Sequence, residues 1–293
     1  MTENDSPAEP NRFPQRFVFH GNAVSAETYL TRVGDAQTYL VHPVTGQSSL
    51  PVIGGHSESA PPNPEWNIPE LGAVFDYTDA KTLADGRLDE SGVAVTLVQA
   101  SVKNVRVTNQ PTKDEPGPGP SEFRAASLSM SIRSVHPQKG QPSIEFVDEP
   151  QFQQLTLDGK RIDLELNKEL MALSRWNDLK RRFQKDKDFF EQCLECFGLP
   201  DLGQPPSFGD PIPRPVGGYA LCSFVRAIHW GDETIKGHVL ERKGFGAIYF
   251  GEMLINDRER RVTMVRMRLR SANSGQAVFV ETAPNGTWWP PHK

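Results

Sequence analysis

Only one stretch of this chain, Asn167 to Gly198, repeats its apolar residues with a helical period; the sequence on either side alternates or turns. At about 100° per residue, Trp176, Leu179, Phe183, Phe190, Cys193, Leu194 and Phe197 fall within one stripe that must be buried. Asn167 is the expected N-cap, Glu169 suits the first turn, and Gly198 followed by Pro200 supplies a C-terminal stop. Lys180, Arg181, Lys185 and Lys187 lie off the stripe and read as a solvated face. Gln184 to Asp188 is an all-polar run at which one long helix can break. A single helix cannot supply the crossovers of a parallel sheet. The expected fold is therefore mainly β, an antiparallel sandwich or open barrel with one helical insertion between two β-rich regions.

Strand and turn signals fill both regions. Residues 1–12 are polar and aperiodic, and read as a disordered tail. Phe17 and Phe19 alternate with Val18 and His20, and short strands follow over 38–42, 48–53 and 72–77, with 78–92 a polar stretch. The prolines of 59–69 exclude a ladder strand there and leave a surface connection that packs Trp66. A longer strand covers 93–108, and 110–121 is a Pro/Gly loop. Phe123 to Val135 then sets Ala125, Ser127, Ser129 and Ser131 opposite Ala126, Leu128, Met130 and Ile132, so one face is apolar and the other small and hydroxylated. Asp158-Gly159 provides the positive φ angles of a type I′ hairpin turn within 154–166.

After the helix, 199–216 is a Pro-rich connection, and a meander occupies 219–230, 234–240, 245–255, 261–270 and 277–282. Gly244, Gly246 and Gly251 mark a bulge or a close backbone approach. These signals give one domain over 13–293, with the helical insertion at 167–198; the alternative is two β domains, 13–166 and 217–293.

Composition excludes several classes. A net charge of −5 and a pI near 5.8 argue against bulk nucleic-acid binding. No apolar run reaches the ~18 residues of a membrane span, and the acidic start lacks a signal-peptide core, so a soluble, cytoplasmic protein is expected. The odd count of 3 cysteines makes no disulfide framework. Cys193-Leu-Glu-Cys196 closes a helix, where the dipole raises a thiol pKa, so a packed pair is expected rather than a redox or metal centre. The acids Asp76, Asp79, Asp85, Asp89 and Glu90 lack calcium-loop spacing, and hydrolase, NTPase and dinucleotide motifs are missing. No catalytic residue, metal site or cofactor is therefore assigned.

Candidate binding residues come from two clusters. Arg266, Arg268 and Arg270 share one strand face at about 6.6–7 Å spacing, which suits phosphates or carboxylates; the favoured account is structural and pairs them with Glu252, Glu241 or Glu281. Trp230 and the consecutive Trp288 and Trp289 offer aromatic surface, though in a strand the last two point to opposite faces. His229 with Asp232 and Glu233 is the one tight cluster of base and acids, and a hairpin turn is the favoured account of it. The leading expectation is a binding or assembly module that associates with a protein partner or itself through β-sheet surface. An enzyme with a pocket near His229, Asp232 and Glu233, and a carbohydrate- or nucleic-acid-binding module, are the alternatives.

Overall fold

The computed structural model of the chain describes residues 15–33, 40–61, 67–68, 73–109, 119–194, 220–270 and 273–289. The tail 1–12, Trp66, most of the loop 110–121 and the connection 199–216 lie outside the described residues. In chain order the elements are β1 (Arg16–Val33), β2 (Leu40–Ser49), β3 (Gly55–Ser59), β4 (Asn67–Ile68), β5 (Ala73–Leu88), β6 (Ala94–Asn109), β7 (Ser121–His136), β8 (Ser143–Phe146), β9 (Gln151–Gln153), β10 (Thr156–Leu157) and β11 (Lys160–Leu166). Three helices follow, α1 (Lys168–Ala172), α2 (Trp176–Lys185) and α3 (Lys187–Leu194). The remaining strands are β12 (Ala220–Ser223), β13 (Val225–Trp230), β14 (Glu233–Lys236), β15 (Val239–Arg242), β16 (Gly246–Ile255), β17 (Arg260–Leu269) and β18 (Asn273–Trp289).

The strands form two antiparallel sheets packed as a sandwich. The smaller has 7 strands, ordered β12-β16-β17-β18-β1-β2 with β15 added to β16. The larger has 11, ordered β14-β13-β11-β10-β7-β6-β5-β3, with β4 on β5 and with β8 and β9 on β7. Both sheets contain strands from each side of the helical stretch: β1 pairs with β18, and β11 with β13. Val98, Val102, Phe123, Leu128 and Ile132 of the larger sheet meet Phe250, Met264, Met267 and Phe279 of the smaller in one buried core. At one end Phe17, Phe19 and Ala94 form a second cluster with Leu50 and Trp288. His136 is buried beside it, its ring 5.0 Å from that of Phe17.

A transverse row of left-handed residues crosses each sheet. In the smaller sheet Gly46 of β2 (φ 63°), Val280 of β18 (φ 58°) and Gly251 of β16 (φ 64°) alternate with Ser25 of β1 and Met264 of β17. Each left-handed residue interrupts the two-residue alternation, so the inward set changes parity across the row. Ala277 and Phe279 face the core before it, and Val280 and Thr282 after it. In the larger sheet Asn104 (φ 51°) and Gln154 (φ 51°) flank Ala126 of β7, and Asp79 (φ 49°) sits in the adjoining bulge of β5. β7 accordingly turns Phe123 and Ala125 inward before the row, and Leu128, Met130 and Ile132 after it.

Several expectations need correction. The helical stretch is three short helices, not one. Asn167 caps α1, its side chain accepting from the Leu170 amide at 3.0 Å. Asp186 ends α2 and its carboxylate accepts the Phe189 amide at 3.0 Å, so a competing side-chain acceptor divides the polar run. The helices cover one edge of the core with Leu170, Leu179, Phe183, Phe189 and Phe190, and the buried Arg260 donates to the Leu173 carbonyl at 2.6 Å. The polar stretch 78–92 is largely strand, since β5 continues to Leu88. β18 likewise runs to Trp289 rather than ending near 282. Among the described residues, no helix is long and apolar enough to cross a membrane.

Candidate binding groove

The alternation of β7 starts the site. Because Leu128, Met130 and Ile132 take the core side, Ser127, Ser129 and Ser131 leave on the outer face of the larger sheet. Register then assembles two rows across the strands. Ser131 stands opposite Gln99, Gln99 opposite Leu83, and Leu83 opposite Glu58. Ser129 stands between Ser101 and Gln151, with Lys81 opposite Ser101. The Gln99 amide donates to the Ser131 hydroxyl at 3.1 Å.

Bulkier, self-paired rows border these two. On one side Arg133 is ion-paired with Glu145, and on the other Lys103 reaches Asp79 at 3.2 Å. The short floor between them leaves a groove of about 960 Å³, closed at one end by Glu58, Ser59 and Ala60 and at the other by Asp148, Glu149 and Gln151. It runs parallel to the row of left-handed residues and a few positions from it along each strand.

Among the described residues, the lining carries the carboxylates of Glu58, Asp148 and Glu149 against one ammonium, that of Lys81. Glu149 shares its charge with Lys168 at 3.2 Å, and Glu58 lies 3.6 Å from His56. The floor offers hydroxyl and amide groups but neither His nor Cys, so its serines have no imidazole base beside them to make a nucleophile. Among the described residues, no group of three or more His, Cys, Asp or Glu could hold a metal ion. The arrangement can hold a hydrogen-bonding ligand and is weighted toward a cationic one.

The residues singled out from the sequence lie elsewhere. Arg266 makes a two-pronged pair with Glu252 at 2.6 and 2.7 Å, and its guanidinium lies 3.8 Å from the Tyr249 ring centroid. Burial pushes the Glu252 carboxyl up, but the hydrogen bonds and charges of Arg266 and His238 outweigh it and hold the group below its ordinary range. Arg268 and Arg270 are exposed, so the three do not form one open row of guanidiniums. Across Thr263 from Glu252 stands Glu281, whose carboxyl burial raises despite Arg261 and the Thr263 hydroxyl.

Trp230 is buried, donates to the Leu157 carbonyl at 3.2 Å and is flanked by Lys160 and Arg242. Trp288 packs on Phe17 and donates to the His136 carbonyl at 3.1 Å, whereas Trp289 is 63% exposed. His229 contacts the Thr234 hydroxyl at 3.1 Å, and Asp232 and Glu233 are exposed at the turn into β14; none of the three lines the groove. Cys222 is buried; Cys196 and the side chain of Cys193 lie outside the described residues. No sequence signal of their own marks Gln99, Ser101, Lys81 or the acidic ends; the hydroxylated face of β7 is the one local feature that points to them.

Against known families, a family model matches residues 17–197. That span contains every groove-lining residue and none of Arg266, Arg268, Arg270, Trp230, Trp288 and Trp289. No curated protein and no solved structure matches the chain. With well over half of its length covered, the chain belongs to the family described as Domain of unknown function (DUF8256).

Proposed function

We propose that this protein is a binding module that holds a segment of a protein partner on the outer face of its larger sheet. The observation that carries the reading is the groove itself: about 960 Å³ on a continuous strand platform, with the hydroxyls of Ser101, Ser129 and Ser131 and the amide of Gln99 set beside Leu83. Sites on regular elements are held more rigidly than sites on loops, and five strands contribute to this one. Panning a displayed library of random peptides on the wild type and on Ser129→Trp, which fills the floor, tests it. Peptides retained by the wild type and lost by the variant support the reading; peptides retained equally by both overturn it.

A second reading, self-association, is favoured by one patch. Val52 and Ile53 are exposed at the tip of the turn after β2, which rests on Gly86 near the exposed Leu88. Light scattering across a concentration series should show an oligomer that Ile53→Asp dissociates; a monomer at every concentration removes this reading.

A further inference from the structure

We infer that the groove's occupant is an extended, basic protein segment lying across the strands rather than along them. This rests on the binding-module reading and adds the direction, length and charge of what is bound.

Direction follows from the rows. The lining residues come from the two rows that cross β3, β5, β6, β7 and β9, so the long axis crosses the strands, with the Arg133–Glu145 pair bordering it at β7 and the Lys103–Asp79 pair at β5 and β6. Four interstrand steps of about 4.8 Å give a length of ~19 Å, which takes five or six residues at about 3.3 Å each.

Charge follows from what is left unneutralised. The wall pairs satisfy one another and Lys168 shares the charge of Glu149, leaving Glu58 at one end and Asp148 at the other to set the sign over Lys81. A segment with a basic side chain near each end matches this spacing. Gln99, Ser101, Ser129 and Ser131 between the ends can bond main-chain amides without reading sequence. Among the described residues that line the groove none is aromatic, and the acidic ends repel nucleic acid. The leading segment of this same chain, with Glu3, Asp5 and Glu9, has the wrong sign, which points to a separate partner.

The test is fluorescence anisotropy with three labelled octapeptides that differ only in carrying Lys, Gln or Glu near each end. The Lys peptide should bind at least about tenfold more tightly than the Gln peptide and lose about tenfold in affinity to the Glu58→Gln/Asp148→Asn variant. It should also weaken between about 50 and 500 mM salt, as screening requires. Equal binding of the Gln or Glu peptide overturns the inference, as does displacement by spermine at the same concentration as the peptide. If no Lys peptide binds while Ser129→Trp still abolishes a library-selected binder, the inference falls and the groove reading stands. If Ser129→Trp leaves every binder unaffected, the groove reading falls as well.

Discussion

Arg266 and Arg268 leave β17 on the same face two residues apart, and their environments separate their roles. Arg266 spends both prongs of its guanidinium on a half-buried carboxylate, while Arg268 stands in solvent. Removing one partner of a half-buried, two-pronged pair strands the other, at a cost of about 2–3 kcal/mol, between that of an exposed and of a fully buried pair. Arg266→Ala should therefore lower the denaturant midpoint sharply, and Arg268→Ala should stay within about 0.5 kcal/mol of the wild type. Equal effects would contradict this assignment. His136 offers a second residue-level test. Burial lowers its pKa from 6.5 to about 4. The unfolded chain then binds the proton that the folded one refuses, so this contribution is complete above pH 6.5 and is lost as pH falls toward 4. The full difference is on the order of 3 kcal/mol. His136→Phe, which keeps a ring against Phe17, should flatten that part of the stability–pH curve; an unchanged slope would show that His136 is not its source.

At the scale of elements, the left-handed rows explain both what could be read from the sequence and what could not. Ser127, Ser129 and Ser131 announced a hydroxylated face because alternation is local, and Gly251 was marked because glycine tolerates positive φ. Nothing in Val280 or Gln154 announces the same conformation, which their neighbours across the sheet impose. The sequence signal ends this strand at 72–77 because Thr78, Lys81 and Asp85 sit on the outward face of β5 and hide its continuation. The ends of the groove come from β3 and from residues 148–151, distant in sequence, so only strand pairing brings them together. Asn104 tests the row directly because it is exposed. Asn104→Val should cost about 1–2 kcal/mol, whereas Asn104→Gly should change stability little, as measured by thermal unfolding. Equal destabilisation by both would trace the effect to the lost Asn104–Thr78 hydrogen bond instead.

At the scale of the whole molecule, the sandwich closes only when its first and last described strands meet. β1 pairs with β18 from Arg16↔Trp289 to Val33↔Asn273, at the centre of the smaller sheet. The family match at 17–197 therefore covers β1 to β11 but not the strands that complete that sheet. A fragment ending at residue 197 should lack a dispersed NMR spectrum, and a well-dispersed one would show that the matched span folds alone. The same pairing has a consequence on the ribosome. At about 5–20 residues per second, β1 emerges on the order of tens of seconds before its partner has been made. For that interval Phe17 and Phe19 have neither Trp288 nor the rest of β18 to cover them, so the nascent chain needs a holdase more than the finished protein does.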